Sequence, residues 1–412
     1  MASRRPVSTR SRAAWSRRVE SQSLTIPAAL LREARANTKH VSKDVAFLWA
    51  LAREIALTRG RELTLAHRSL VWMMPGFRTR QGARGARVTS ELCIVFVVRR
   101  KRTLDPRSPE HLPRSLITYA EHGGRRQPFA IPTDVQDVSA YHRAFAQADG
   151  AVWTDRSGWV AEPGHFAAMI NLRQADSQQR CILGAQHVFT PFADGSSMRV
   201  EGSLTVRPLD AFGRLAQLPR LAVSLPVGGL LRDDERPDRP SFDVQLASVP
   251  PEAEAEVRSR TPLRGISQTD PWVRSMAQVL HLDAIGWFYM ITPDNHSRAP
   301  RRGLIRLTLG SMPPQPFPIA YKFRSGGQVV VKDVYHEELL CLRATNKHRP
   351  PLRGDSGSPI VARRDDGSFS LVAMHIAGDE EGLSWAIPAW LLFDMGHWEQ
   401  YPEGAEIELI EP

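Results

Sequence analysis

The chain has 412 residues, a formal net charge of +10 and 42% hydrophobic residues. This length can hold two domains and bury a sizeable core, and the composition is that of a globular protein rather than a disordered one. No apolar run reaches the length of a membrane span, and the three cysteines, Cys93, Cys181 and Cys341, form no paired framework, which excludes a disulfide-stapled scaffold.

The charge is uneven. Residues 1–85 carry 17 Lys/Arg against 5 Asp/Glu, so the rest of the chain is nearly neutral. Arg4, Arg5, Arg10, Arg12, Arg17 and Arg18 make residues 1–20 a basic tail without a hydrophobic pattern. It reads as a solubilising arm, or as one that contacts nucleic acid or an acidic partner. The first 18 residues lack the apolar centre of a signal peptide, so a reduced, cytoplasmic protein is expected.

Pro27 opens a helix expected over residues 28–39. Ser42 is the expected cap of a second. There Val45, Leu48, Trp49, Ala52, Ile55 and Ala56 form one apolar stripe, and Gly60 is the expected stop. Residues 69–74 and 91–98 read as strands, the second continuously apolar and hence buried. These elements place a smaller α/β or helical region over 21–149.

Three segments further along carry nucleophilic chemistry. Cys181-Ile182-Leu183 is an apolar run that ends in Gly184-Ala185, then Gln186 and His187. A strand end is where a base can face a cleft. Asp243 stands between Phe242 and Val244-Gln245-Leu246-Ala247, at the edge of a charged, Pro-rich loop. Asp210, Asp233, Asp234 and Asp238 compete with it. Residues 354–358 then read Gly-Asp-Ser-Gly-Ser. A serine hydroxyl needs a base to take its proton, and the oxyanion that forms needs backbone N–H donors fixed in advance. Taken alone, Gly354-Asp355-Ser356-Gly357 is also a string of turn residues.

In this order, His187, Asp243 and Ser356 resemble the chymotrypsin/trypsin-like serine protease family, of a bacterial cytosolic type. The order differs from that of subtilisin and the α/β-hydrolases. The resemblance is loosest at Gly184-Ala185-Gln186, where the family has Thr-Ala-Ala, and at Gln245, where it has a small residue. It implies a mainly β fold. Two antiparallel six-stranded β-barrels are expected at about 150–265 and 275–395, within a protease domain of 150–400, with 401–412 as a C-terminal tail. Met74-Pro75-Gly76-Phe77-Arg78, Thr89, Cys93 to Lys101 and Pro132-Thr133-Asp134-Val135 resemble the segment before the catalytic domain in some bacterial and plant members. Residues 20–150 are therefore expected to recruit or regulate.

The resemblance also assigns roles. Ser356 is the nucleophile, His187 the base and Asp243 its orienting acid, and the Gly354 and Ser356 amides form the oxyanion hole. After Ser356, residues 371–378 read as a strand. Met374-His375-Ile376-Ala377-Gly378 resembles the pocket strand of glutamyl endopeptidases and picornaviral chymotrypsin-like cysteine proteases. His375 and Gly378 are thereby candidates for substrate specificity, with His375 donating to a Glu or Gln side chain. Pro350 stands where a trypsin has its floor aspartate, which argues against Lys or Arg preference. In the family the aspartate before the nucleophile pairs with a freshly cut amino group. Here that residue is Asp355, which is expected to bond within its loop or to an internal basic residue instead. Such a site uses protein or peptide substrates and needs no cofactor and no metal. The looser positions keep a second reading open, a protease fold used as a binding or regulatory module.

Overall fold

A computed structural model describes residues 26–82, 85–101, 111–137, 145–146, 152–156, 159–160, 165–174, 177–189, 202–206, 221–223, 236–294, 301–325, 328–345, 351, 355–379, 382–398 and 404–410. The chain divides into two compact units, residues 1–79 with 89–140, and residues 80–88 with 141–412. The basic tail expected over 1–20 lies outside the described residues.

In the first unit, helices α1 (Ala28–His40) and α2 (Val45–Ala66) accompany four strands, of which the first two also run into residues 80–88 of the second unit. These are β1 (Leu70–Gly82), β2 (Gly85–Val98), β3 (Ser115–His122) and β4 (Arg125–Asp137), in the spatial order β1-β2-β4-β3. The expected strands at 69–74 and 91–98 are longer than their apolar runs. Residues 93–97 of β2 have no exposed surface, as a strand covered on both faces requires. Helix α1 is pinned to β4: Asn37 Nδ2 donates to the Pro128 carbonyl at 2.9 Å, and the Ala130 N–H donates to Thr38 Oγ1 at 2.9 Å.

Both expected ends of α2 shift. Asp44, not Ser42, caps it by accepting the Phe47 N–H at 3.0 Å. The helix also runs through Gly60 to Ala66. Gly60 faces open space, and its missing side chain costs about 1 kcal/mol. Leu63, one turn on, is buried, and burial of a leucine contributes about 2 kcal/mol. The apolar stripe outweighs the glycine.

The second unit is mainly β. A closed, six-stranded antiparallel barrel is formed by β13 (Phe288–Asp294), β14 (Arg301–Ser311), β17 (Leu340–Ala344), β20 (Leu383–Pro388), β19 (Phe369–Gly378) and β18 (Pro359–Arg363). Each pairs with the next, and β18 returns to β13. Closure removes the unpaired edge that an open sheet would present. Phe288, Met290, Leu307, Leu309, Leu342 and Ile360 on these strands have no more than trace exposure. A hairpin of β15 (Phe317–Ser325) and β16 (Gln328–His336) lies alongside, with β5 (Phe145–Ala146) between β15 and β19.

The described strands of the expected first barrel, joined by one from residues 405–409, form two four-stranded antiparallel sheets. One has the order β12 (Gln245–Ser248), β9 (Ser177–Gly184), β8 (Phe166–Gln174), β21 (Ala405–Leu409). The other has β11 (Leu221–Val223), β10 (Gly202–Val206), β6 (Val152–Arg156), β7 (Trp159–Val160). Strand β21 stands where a C-terminal tail was expected at 401–412. Its alternation of Ala405, Ile407 and Leu409 with Glu406 and Glu408 suits a strand with one covered face, and it pairs along β8 from Ala405↔Gln174 to Leu409↔Ile170. After β20 the chain makes one helical turn (Ala389–Leu392), followed by a 3-10 turn at Met395–His397. No helix among the described residues is long and apolar enough to cross a membrane.

Candidate active site

Strand register brings His187 and Asp243 together. In the β9–β12 pair, Gln245 lies opposite Gly184 and Leu246 opposite Leu183. The chain leaving β9 and the chain entering β12 therefore run side by side. His187 lies three residues beyond Gly184, in the one-turn helix α3 (Gln186–Phe189), and not at the strand end itself. Asp243 lies two residues before Gln245, in a tight bend where the Val244 N–H donates to the Phe242 carbonyl at 2.9 Å. Among its competitors, Asp238 is exposed and paired with Arg236 at 2.7 Å. Asp210, Asp233 and Asp234 lie outside the described residues.

The two side chains meet closely. His187 Nδ1 is 2.6 Å from Asp243 Oδ2, and the His187 backbone N–H donates to Asp243 Oδ1 at 3.0 Å. Asp243 is 0% exposed, and burial by itself disfavours its charge. The His187 charge and hydrogen bonds, with His336 beyond, outweigh that and hold its carboxyl below the usual range. An ionised carboxylate accepts only, so Nδ1 carries a proton, and in the neutral ring Nε2 presents a lone pair. Among the described residues, His187 Nε2 has no hydrogen-bond partner.

Two further residues, invisible in the sequence, complete this cluster. The Tyr321 hydroxyl from β15 donates to Asp243 Oδ2 at 2.9 Å and lies 3.0 Å from His336 Nε2 on β16. The Tyr321 ring stands edge-on to the His187 ring at 5.5 Å. Burial, then the charge of Asp243, pushes the Tyr321 hydroxyl well above its ordinary value, so it stays protonated. Burial pulls His336 down to about 4 against the opposing pull of Asp243.

Ser356 lies in the turn before β18. Its Oγ donates to the Ile376 carbonyl at 3.1 Å. The loop is tied on several sides. The His165 N–H donates to the Ser356 carbonyl at 2.7 Å, the Gly357 N–H to the His375 carbonyl at 2.8 Å, and the His375 N–H to the Ser358 carbonyl at 2.9 Å. Gly357 has φ +86°, where a side chain is strained. Asp355 is buried and accepts a hydrogen bond from Thr292 Oγ1 on β13. Gly354, the other expected oxyanion donor, lies outside the described residues, as does Pro350.

His375 is 1% exposed on β19, and its Nδ1 lies 2.7 Å from Ser384 Oγ on β20. Gly378 ends the same strand. A Cβ there would meet Pro351 at 3.0 Å, the Leu383 carbonyl oxygen at 3.1 Å and the His375 ring at 3.3 Å. Glycine thus keeps the wall beside His375 close. The three cysteines are buried, and burial pushes the Cys181 and Cys341 thiols up to about 12. None of them is a thiolate nucleophile near neutral pH.

No family model and no curated protein matches the chain. Among solved structures, it is similar to the NS6 protease from murine norovirus 1, at 13% identity over 61% of this chain and 92% of that one, with a TM-score of 0.24. A chimeric, inactive murine norovirus NS6 protease gives 13% identity over 60% and 93%, with a TM-score of 0.24.

Proposed function

We propose that the chain is a serine endopeptidase. The observation that carries this reading is the buried His187–Asp243 pair. A histidine held through Nδ1 by a carboxylate, with Nε2 carrying a lone pair, is the arrangement a general base needs. In this reading Ser356 Oγ attacks a peptide carbonyl while His187 Nε2 takes its proton. The tetrahedral intermediate collapses as His187 returns that proton to the leaving amine. Water then hydrolyses the acyl-enzyme by the same route. Asp243 keeps the ring in the right tautomer and stabilises the imidazolium. The Gly354 and Ser356 amides are assigned to the oxyanion.

His375 is assigned to substrate selection. Ser384 fixes its ring through Nδ1, which orients it to meet a Glu or Gln side chain, and Gly378 leaves the adjoining wall without a side chain. Substrates are then a restricted set of proteins or peptides. Residues 20–150 are assigned to recruitment or gating, a role that falls if their deletion leaves substrate cleavage unchanged.

One observation favours a second reading, a protease fold that binds without cutting. Ser356 Oγ donates to Ile376 rather than to His187. In the enzyme reading, the Ser356 hydroxyl leaves that carbonyl for the base when substrate enters. Catalytic hydrogen bonds commonly tighten only in the substrate complex. A fluorophosphonate probe separates the two: covalent labelling that Ser356→Ala abolishes supports the peptidase, and an unlabelled native protein supports the binding module.

A further inference from the structure

We propose that Tyr321 and His336 are positioning residues for the His187–Asp243 pair, through a directed hydrogen-bond chain from His336 Nε2–H to the Tyr321 hydroxyl to the Asp243 carboxylate. The proposal rests on the peptidase reading above. Its geometry stands on its own.

The direction of the chain follows from proton counting. Tyr321 has one hydroxyl proton, and Asp243 Oδ2 and His336 Nε2 both lie within 3.0 Å of its oxygen. A carboxylate has no proton to give, so an oxygen 2.9 Å from it must donate to it. The Tyr321 proton is thereby committed to Asp243, and the remaining contact requires His336 Nε2 to carry the hydrogen. A neutral His336 has one N–H, which fixes its tautomer as Nε2–H. Each link then polarises the next toward the one negative charge.

The consequence falls on Asp243. Oδ1 accepts the His187 backbone N–H, while Oδ2 accepts both the His187 ring and Tyr321. The first two donors come from α3, on the sheet containing β9 and β12. Tyr321 and His336 come from the β15–β16 hairpin. Their strand pairing sets Phe317 opposite His336, and Tyr321, four residues along β15, shares the face of Phe317. The hairpin thus holds the carboxylate through Oδ2 from a different element than the one that carries His187. Among the described residues, the titratable groups packed about His187 are Asp243, from the bend before β12, Tyr321, from β15, and His336, from β16.

Three full-length variants test this through the rate of fluorophosphonate labelling across pH. Tyr321→Phe removes one oxygen and keeps the ring. It is expected to slow labelling about tenfold, the range for one charge-assisted hydrogen bond. It should also move the acid limb of the pH profile upward, because Asp243 then turns more of its charge on His187. His336→Gln retains an N–H donor and should keep most of the wild-type rate, whereas His336→Leu should behave as Tyr321→Phe does. A wholly structural role would lower thermal stability and leave the profile in place, and that result overturns the proposal. If the wild type does not label, the peptidase reading falls, and the chain is judged alone by 15N NMR of histidine-labelled wild-type protein. An Nε2–H tautomer at His336, assigned by its loss in His336→Gln, supports the chain. An Nδ1–H tautomer overturns it, and does so whether or not the protein labels.

Discussion

Gly357 and His165 meet backbone to backbone. A Cβ built on Gly357 would lie 1.8 Å from the His165 carbonyl oxygen, and Gly357 already has φ +86°. Neither the obstacle nor the dihedral can yield cheaply, because both belong to main chain. The contact also locks Ser356, whose carbonyl accepts the His165 N–H at 2.7 Å.

Gly357→Ala is therefore expected to destabilise the protein by about 3 kcal/mol or more, from left-handed strain together with the displaced strand entry. Urea unfolding measures this, and an unchanged midpoint contradicts it.

Thr292 tests how the turn before β18 is held. Asp355 is 3% exposed and takes a hydrogen bond from Thr292 Oγ1, an internal hydroxyl. Thr292→Val keeps the shape and removes that donor from a buried carboxyl, which should cost about 2 kcal/mol. Thr292→Ser should restore most of it. Equal stabilities for the Val and Ser variants would show that the hydroxyl contributes nothing.

His336 predicts a pH dependence of folding. Its folded value is lowered to about 4, from an ordinary 6.5. A histidine kept neutral in the fold costs nothing above the unfolded value. As pH falls below 6.5, the unfolded chain takes a proton that the folded one refuses, and stability drops until about pH 4. The full effect is about 3 kcal/mol. Asp243, held low, adds stability above the ordinary carboxylate range and loses it only at more acid pH. His336→Gln should flatten the slope between pH 6.5 and 4 in equilibrium unfolding. An equal slope in the variant contradicts the assignment.

Cleavage profiling tests His375. The expected profile is enriched in Glu or Gln before the cut, and Ser384→Ala, which releases the ring held at 2.7 Å, should lower kcat/KM for those substrates about tenfold. An aliphatic preference removes His375 from substrate selection.

Much of the candidate site was legible in the sequence because each residue carries a local signal. His187 follows an apolar strand that stops at small residues, and Asp243 opens another. Tyr321 and His336 carry none. Tyr321 is one aromatic in an ordinary strand pattern, and its partner Asp243 lies 78 residues away, so only strand pairing brings it into the site. Local signals also misled. Gly60 reads as a helix stop, yet Leu63 beyond it has a core to enter. Conversely, the alternation at 405–409 was present to be read as a strand, but its partner is β8, more than 200 residues earlier.

The most direct measurement is active-site labelling of the full-length protein with a fluorophosphonate, mapped by peptide mass. One modified residue is expected, Ser356, with labelling abolished in Ser356→Ala and slowed about 10³-fold or more in His187→Ala and Asp243→Asn. Labelling that persists in Ser356→Ala, or a folded wild type that does not label at all, would contradict that expectation.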